Sequence, residues 1–513
     1  MGDLDEALAR AAKGMSLAHW ATVAPERTAI DSPSGSRTFA ELNANANAVA
    51  RALARRGVGA GDSIVLLCAN RPEFAETLAA AERSGLRLTP VNWHLTAPEV
   101  AYIVTDCGAT AIVADARFAA AAQASGPNVR LAIGGDIPGF ESYTDAIAAE
   151  EGIDLAHPVR GSTMLYTSGT TGRPKGVHRD RPAGTPPATA AIFGYQPEHD
   201  AHLCTGPLYH AAPLAFSLAL PLLAGTRVVL MDGWDASEAL RLIGAERITH
   251  THMVPTMFHR LLALPDEQRQ AEDVSSLRFV VHGAAPCPVA VKQAVMDWLG
   301  PVVWEYYAAT EGTGTFCDPQ TWLAHPGTVG RPVVPGQVIV GDEEAQPLPP
   351  HEVGLVWLRA PRVTRFRYWG DEQKTAGAYR GDYFTLGDMG YADEEGFLFL
   401  TDRSADLIIS GGVNIYPAAV DAVLLQHPAV GDVGTIGVPH SEWGEEVVAV
   451  VEPAAGVEPG PALAAELIAF CRENLAHYEC PRRVEFIDEL PRSDAGKMQR
   501  RLLRERYRTE VSP

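Results

Sequence analysis

Short apolar runs alternate with amphipathic segments through the first two thirds of the chain. Four of the runs read SIVLLCA, TAIVADA, TRVVLM and RFVVHG, and they lie near Ile64, Ile112, Val228 and Val280. Gly, Asp or Pro bounds these runs, and helical stretches such as residues 73–84 follow them. Buried strands that alternate with helices are typical of layered α/β folds, so the pattern predicts a largely parallel sheet.

The pattern changes near residue 328. Residues 328–400 contain short segments with many Gly and Pro and the alternating string GLVWLRA, which predicts a small antiparallel or barrel-like subdomain. A second change follows TDRSADLIISGG, after which residues 418–426 and 462–475 are predicted helices around a strand. We therefore predict an α/β protein with a large N-terminal domain, residues 1–401, and a smaller, mobile α+β C-terminal domain, residues 402–513.

The net charge limits the ligands of the chain. Its 513 residues include 42 Lys plus Arg and 63 Asp plus Glu, which gives a net charge of -21. This is the wrong sign for general binding to nucleic acids or anionic membranes. The most apolar stretch, residues 211–223, is too short to span a bilayer and contains two prolines, so it predicts a buried helix. Any anionic ligand must therefore meet individually placed cations.

The cysteines and the N-terminus indicate a cytoplasmic protein. Seven cysteines are scattered without a Cys-x-x-Cys pair, which fits reduced thiols better than disulfides or a zinc site. The first residues, MGDLDEALAR, are acidic where a secretory signal would be basic. We expect a cytoplasmic location and no transmembrane segment.

Lysine is scarce, because only five of the 42 basic residues are lysines. Lysine supplies a compact charge on a flexible stem, whereas arginine supplies a planar fork. A confined site that needs a point charge can therefore require lysine. Two of the five, Lys175 and Lys497, lie in glycine-containing loops that are candidates for handling phosphate.

The string YTSGTTGRPKGV, residues 166–177, combines the groups that a phosphate-binding loop needs. Its glycines let backbone N–H groups approach an anion, its hydroxyls donate hydrogen bonds and its lysine supplies charge. Lys175 is followed by Gly176 rather than by the Ser or Thr that holds Mg²⁺ in a P-loop NTPase. The residues concerned are Thr167, Ser168, Gly169, Thr170, Thr171, Gly172, Lys175 and Gly176.

Five motifs in family order resemble those of the adenylate-forming superfamily, which includes acyl-CoA synthetases, luciferases and the adenylation domains of peptide synthetases. After the loop come YYAATEG at 306–312, YFTLGD at 383–388, DRSADLIISGGVNIYP at 402–417 and PRSDAGKMQR at 491–500. Together they extend from the loop almost to the last residue. On these motifs the chain is identified as a member of the superfamily.

The resemblance implies an AMP-forming acyl-CoA ligase. A carboxylate is a poor electrophile because its leaving group would be oxide, so such enzymes first attach AMP to it. The acyl group then passes from acyl-AMP to coenzyme A as a thioester. The expected small molecules are ATP, Mg²⁺, coenzyme A and a hydrophobic carboxylic acid that is fatty, aromatic or steroid-like.

The resemblance also assigns the ATP site. Lys497, Glu311, Thr167 and His210 are the expected catalytic residues, and Glu311 is the expected Mg²⁺ ligand. Asp388 suits the ribose because a carboxylate can accept hydrogen bonds from both hydroxyls of a diol. The expected ATP-binding set is Thr167, Ser168, Gly169, Thr170, Thr171, Gly172, Lys175, Ala284, Ala285, Tyr307, Thr310, Asp388, Arg403 and Lys497.

The second half-reaction requires a rotation of the small domain in the resembling enzymes. The hinge residue of that rotation aligns with Asp402. The rotation would take Lys497 away and bring in SGGVN, where Gly411 and Gly412 leave room for a narrow pantetheine tunnel. These assignments follow from the resemblance.

Coenzyme A is the favoured acyl acceptor. Trp443 matches the position at which several CoA ligases stack the adenine of coenzyme A, and no carrier domain follows Pro513. Glu479, however, stands where the family usually has a lysine. Its carboxylate would repel the phosphates of coenzyme A, so Arg482 or Arg483 or a different pose must compensate.

The acyl pocket is expected between three motifs. Small residues leave volume there for an apolar chain or ring system, and the lack of an Asp that could bind an α-amino group disfavours an amino acid. His210 is also expected to gate this pocket. The expected lining is His210, Ala211, Ala212, His282, Gly283, Tyr306 and Ala308.

Other functions remain open at this point. The chain is alternatively an enzyme that loads a carrier protein, or a nucleotide-binding relative without turnover. A serine hydrolase is disfavoured because the sequence has no Gly-x-Ser-x-Gly. A zinc site at His250, His252 and His259 is disfavoured because their spacing matches no established zinc motif. No nucleic-acid partner is expected, and a homodimer is left open.

Overall fold

The fold was obtained as a computed structural model, which describes residues 2–124, 126–167, 174–179, 187–332, 334–362, 365–403, 406–410, 413–440, 443–493 and 496–508. The side chains of residues 187–189, 313, 402, 403, 414 and 508 are outside this description. The described residues form five sheets with helices, divided between a large N-terminal part and a smaller C-terminal part. The predicted α/β fold class is confirmed.

A six-stranded sheet, parallel throughout, holds the first predicted strands. Strand Ser63–Leu67 is buried along its whole length. Ile64 packs in one apolar cluster and Val65 in another, because alternate residues of a strand face opposite sides of the sheet. In spatial order the strands are Glu141–Ser142, Val129–Ile133, Ala109–Asp115, Ser63–Leu67, Arg87–Pro90 and Ser162–Thr163.

An eight-stranded sheet carries the other predicted strands and most of the candidate pocket. Its inner strands pair in parallel, and its two outermost pairings are antiparallel. The predicted strands near Val228 and Val280 are both present. In spatial order the strands are Gly312–Cys317, Val303–Ala309, Phe279–His282, His250–Met253, Ala201–Cys204, Arg227–Leu230, Thr28–Asp31 and Arg37–Thr38.

Three smaller sheets complete the described strands. One joins Phe366–Tyr368, Lys175–Arg179 and Leu165–Thr167. The Gly-rich and Pro-rich region forms an antiparallel sheet of Val338–Gly341, Gly354–Arg359, Tyr383–Ala392, Tyr379–Arg380 and Leu398–Arg403. The C-terminal part contains Val413–Ile415, Ile408–Ser410, Gly444–Pro453, Val430–His440 and Arg483–Phe486.

Helices cover the sheets of both parts. Three of the four helices predicted above, 73–84, 418–426 and 462–475, each match a helix of the structure within two residues. In the N-terminal part the α-helices are Asp3–Ala11, Ser16–Val23, Phe39–Arg55, Pro72–Ser84, Ala97–Asp106, Ala119–Gln123, Tyr143–Ala148, Pro187–Phe193, Leu220–Leu223, Ala236–Ala245, Pro255–Leu262, Asp266–Ala271, Val289–Leu299, Pro319–Ala324 and Glu372–Ala378, with a 3₁₀ turn at Ala116–Phe118. In the C-terminal part they are Pro417–Leu424, Pro461–Asn474 and Arg500–Arg508.

The apolar stretch 211–223 differs in detail from the predicted buried helix. It forms a π-helix, Pro213–Ala219, that continues into a turn of α-helix, Leu220–Leu223. Such wide turns are rare and occur frequently at functional sites. Among the described residues, no helix has the length and apolar character needed to cross a membrane. All seven cysteines are free thiols.

The third scarce lysine, Lys292, has a structural role. Its Nζ lies 2.7 Å from Glu305 Oε2, and the ammonium is 4.7 Å from the ring centroid of Trp322. Lys292 is fully buried, and burial raises the pKa of Glu305 while the charge of Lys292 opposes that rise. A buried ion pair becomes costly when one partner is removed, because the remaining charge has no compensation.

We therefore expect Lys292→Met to lower the free energy of unfolding of the large part by about 3–5 kcal/mol. The double variant Lys292→Met/Glu305→Leu should recover most of that loss, because it removes both charges. Urea unfolding followed by tryptophan fluorescence measures both effects. Equal destabilisation in the single and double variants would contradict the ion-pair explanation.

Candidate active site

Glu311 lies at the turn between strands Val303–Ala309 and Gly312–Cys317 and is 7% exposed. Tyr368 Oη donates a hydrogen bond of 3.2 Å to its Oε1. Burial raises the pKa of Glu311, whereas the positive charges of Lys497 and Arg179 lower it. A carboxylate is a hard oxygen donor that suits Mg²⁺, which is usually bound by one or two carboxylates and substrate phosphates. The donor at this position therefore fits the expected metal.

The described part of the glycine-rich segment forms a strand pair beside Glu311. Thr167 and Lys175 are register partners in this pair. Further along the same strand, Arg179 Nη2 donates a 2.9 Å hydrogen bond to the carbonyl oxygen of Thr310. Two expected ATP residues thus face each other across one strand pair. Ser168, Gly169, Thr170, Thr171 and Gly172 lie outside the described residues.

Tyr307 and Asp388 are joined directly. Tyr307 Oη donates a 2.8 Å hydrogen bond to Asp388 Oδ2, and Tyr307 is 8% exposed. Asp388 pairs through its backbone with Arg403, on strands Tyr383–Ala392 and Leu398–Arg403. The structure therefore brings three expected ribose and adenine contacts together by position. The side chains of Arg403 and of the expected hinge Asp402 lie outside the described residues.

The Lys497 loop packs against the large part of the molecule. The Ser493 amide donates to the Lys497 carbonyl oxygen at 2.8 Å. A Cβ placed on Gly496 would lie 2.6 Å from Thr256 Oγ1, and Gly496 has φ +72°, so a side chain there would both clash and strain the backbone. A second contact joins the two parts nearby, because His259 Nε2 donates to the Gly431 carbonyl oxygen at 2.8 Å.

The loop after strand Phe279–His282 lies at the carboxyl end of a parallel strand, which is where ligands bind in open α/β sheets. It contains Ala284 and Ala285, both half-buried. Ala284 has φ +70°, a left-handed conformation that alanine rarely adopts. Strained backbone of this kind is concentrated at functional sites.

The structure collects part of the expected acyl lining. Ala212, Tyr306 and Ala308 belong to one apolar cluster with Phe216. A Cβ on Gly283 would lie 2.7 Å from the Tyr306 ring, so Gly283 directly adjoins this cluster. Ala211 and His210 precede the π-helix; His210 is half-buried, with its ring 4.6 Å from that of Tyr209.

His282 does not join these residues. Its ring is fully buried and packs on Phe258 at 5.1 Å, with Nε2 3.5 Å from Glu305 Oε2. Burial lowers the pKa of His282 well below its usual range, and the charge of Lys292 adds to that effect. His282 therefore faces the ion-pair side of the sheet, because it has the opposite strand parity from the cluster residues. We leave it out of the acyl pocket.

Trp443, the expected stacking surface for the adenine of coenzyme A, already has neighbours against its ring. The ring of Trp443 stacks on His440 at 4.4 Å, and the Arg482 guanidinium lies 3.4 Å from the Trp443 ring centroid. Glu479 accepts a hydrogen bond from the Ala476 amide at 3.3 Å. An adenine stacked on Trp443 would therefore replace one of its two neighbours. Gly411 and Gly412 lie outside the described residues.

The histidine string has no metal geometry. His250 and His252 lie on strand His250–Met253, whereas His259 lies on a helix and bonds to Gly431. Among the described residues, no group of three or more His, Cys, Asp or Glu side chains is arranged to hold a metal.

Sequence reasoning missed Tyr368 and Arg179. Tyr368 pairs with Val177 in the three-stranded sheet, so both missed residues adjoin one strand. The alternation of Lys175, Val177 and Arg179 was the available signal, because alternate residues of a strand share a face.

Comparison with known proteins identifies the family. The protein-family model described as AMP-binding enzyme matches residues 17–369. A second family model, described as AMP-binding enzyme C-terminal domain, matches residues 419–497. The chain belongs to the AMP-binding enzyme family. The resemblance drawn from the five motifs is thereby confirmed.

Relatives of this AMP-binding enzyme match it over nearly its whole length. The 2-succinylbenzoate–CoA ligase of Geobacillus kaustophilus is 35% identical over 94% of this chain and 96% of the relative. The feruloyl-CoA synthase of Amycolatopsis is 34% identical over 95% of this chain and 97% of the relative. The crystal structure of the anthranilate CoA ligase AuaEII with anthranoyl-AMP superposes with a TM-score of 0.88 at 27% identity. The match covers 97% of this chain and 98% of the ligase. These findings confirm the predicted class, an AMP-forming acid–CoA ligase.

The bond from Tyr368 to Glu311 yields a test. We expect Tyr368→Phe to raise the Mg²⁺ concentration for half-maximal pyrophosphate release about 5-fold, because the carboxylate loses the donor that orients it. Tyr379→Phe is the matched control, since Tyr379 Oη bonds to the Phe366 carbonyl oxygen instead. A shift in both variants, or in neither, would contradict a specific role for Tyr368.

Proposed function

We propose that this enzyme activates a hydrophobic, preferably aromatic, carboxylic acid with ATP and transfers the acyl group to coenzyme A. In the first step a carboxylate oxygen forms a bond to the α-phosphorus of ATP, and pyrophosphate leaves. In the second step the sulfur of coenzyme A forms a bond to the acyl carbon, AMP leaves, and the thiol proton is released. The relatives named for 2-succinylbenzoate, feruloyl and anthranilate support an aromatic acid.

The observation that carries this proposal is the position of the Lys497 loop. It lies against Thr256, and the charge of Lys497 acts on the buried Glu311. The positive charge of one motif thus acts on the carboxylate of a distant motif, which suits a reaction that joins two anions. In our proposal Lys497 contacts the attacking carboxylate and the α-phosphate.

The remaining roles in the first step follow from their neighbours. Glu311 would hold Mg²⁺, which when bound offsets the charge of the phosphates. Thr167, Lys175 and Thr310 would contact phosphate oxygens, together with the glycine-rich loop. Asp388 would accept hydrogen bonds from the ribose, with Tyr307 against the adenine and Arg403 donating nearby.

For the second step we propose the domain boundary and hinge at Asp402, with residues 1–401 and 402–513 as the two domains. Rotation there would withdraw Lys497 and bring Gly411 and Gly412 toward the acyl-AMP. The adenine of coenzyme A would then displace Arg482 from Trp443, which frees the guanidinium for the phosphates of coenzyme A. His210 would close the acyl pocket at its mouth.

Lys497→Ala should lower acid-dependent pyrophosphate exchange about 100-fold or more, because the first step loses its placed cation. Thioester formation from supplied acyl-AMP and coenzyme A should remain close to wild type. Lys13→Ala, which removes an exposed lysine near the N-terminus, controls for the change in charge. Equal losses in both half-reactions would contradict the proposed role of Lys497.

Trp443→Ala should raise the KM for coenzyme A about 10-fold, because the adenine loses its stacking surface. Pyrophosphate exchange should not change, since it does not involve coenzyme A. Steady-state thioester formation and exchange measured on the same preparation separate the two effects. A change in exchange with an unaltered KM would contradict the assignment.

A further inference from the structure

Strand Val303–Ala309 of the eight-stranded sheet carries two residues of the expected acyl lining, one small and one large. Ala308 and Tyr306 share one face of the strand, and Ala308 is nearer to Glu311. Residues two apart on a strand are separated by about 7 Å. An acyl group that starts beside Glu311 therefore passes a small side chain first and meets the Tyr306 ring about 7 Å further on.

The Tyr306 ring has three close neighbours, His252, Phe216 and Gly283. Tyr306 Oη and His252 Nε2 form a buried hydrogen bond of 3.0 Å. Phe216, from the π-helix, packs edge-on against the ring with centroids 5.0 Å apart. The backbone of Gly283 adjoins the ring so closely that a Cβ on Gly283 would lie 2.7 Å from the Cε1 and Cζ atoms of Tyr306.

Beyond Tyr306 lie three buried histidines that are packed among aromatic rings. His252, His250 and His202 lie on the same face of two neighbouring strands, and each is at most 2% exposed. Burial lowers the pKa of His252 to about 3, so the imidazole is neutral at pH 7. His250 Nε2 donates to the Phe193 carbonyl oxygen, and Tyr195 Oη bonds to His202 Nδ1. An alkyl tail would break such bonds without replacing them.

We propose that the Tyr306–His252 pair closes the acyl pocket, so the enzyme takes compact acids, one aromatic ring or an aliphatic group of similar length, and rejects long-chain fatty acids. This inference rests on the proposed function and deepens it. The long-chain and steroid-like acids left open by the sequence do not fit a pocket that ends at this ring. Tyr306 and His252 thereby determine the acyl length.

The test compares benzoate and hexanoate with dodecanoate and hexadecanoate by acid-dependent pyrophosphate release. We expect the wild-type kcat/KM for benzoate to exceed that for dodecanoate by about 100-fold. Tyr306→Ala should raise the dodecanoate-to-benzoate ratio about 10-fold or more, because the end of the pocket opens. Tyr306→Phe should raise that ratio by a smaller factor, since the ring remains but is no longer held by His252.

Tyr195→Phe is the matched control for Tyr306→Phe, because it also removes a Tyr–His hydrogen bond on this face of the sheet. Its acid preference should remain that of the wild type. Equal use of hexadecanoate and benzoate by the wild type would overturn the inference, whatever the variants do. So would an unchanged ratio in folded Tyr306→Ala. Pyrophosphate release with every acid at equal efficiency contradicts this inference alone. If none of the four acids supports pyrophosphate release, the proposed function is contradicted as well.

Discussion

The carboxylate of Glu311 is buried where Tyr368 donates to it and where Arg179 and Lys497 contribute positive charge. An anion removed from water in this way needs paired partners, because its hydration is lost. The net charge of -21 gives the chain no general attraction for ATP or a carboxylate. In the proposed site the few cations near Glu311 supply this attraction, and one of them, Lys497, comes from the C-terminal part. The site is therefore complete only where that part lies against the large one.

Strand Val303–Ala309 connects this site to both the acyl pocket and the core. Tyr306 and Ala308 face the apolar cluster, whereas Glu305 faces the other side and pairs with Lys292. The ion pair thus fixes the strand whose end carries Glu311. Lys292 serves this buried pair, and in our proposal Lys175 and Lys497 serve the phosphates, so each of these three lysines has a task that suits a compact charge.

Local patterns predicted the elements well, since burial on both faces leaves continuous apolar runs such as Ser63–Leu67. The motifs also predicted Glu311, Asp388 and Lys497 as site residues, and these roles belong to the proposed function. The sequence could not reveal partners that meet only through folding: Tyr368 reaches Glu311 across strand pairing between distant segments. The face of His282 was misjudged for a related reason. The residues next to His282 in the motif are expected pocket residues, so His282 was predicted to line the pocket too. Its position on the strand instead directs the ring toward Glu305.

The most direct test of the two-step reaction follows the oxygen atoms. The enzyme is incubated with ATP, coenzyme A and benzoate carrying ¹⁸O in both carboxylate positions, and the nucleotide products are analysed by mass spectrometry. Attack of the carboxylate on the α-phosphorus followed by thiol attack on the acyl carbon leaves one ¹⁸O in AMP. We expect AMP with a single ¹⁸O and unlabelled pyrophosphate. Label in inorganic phosphate with ADP as the product, or unlabelled AMP, would contradict an acyl-AMP intermediate.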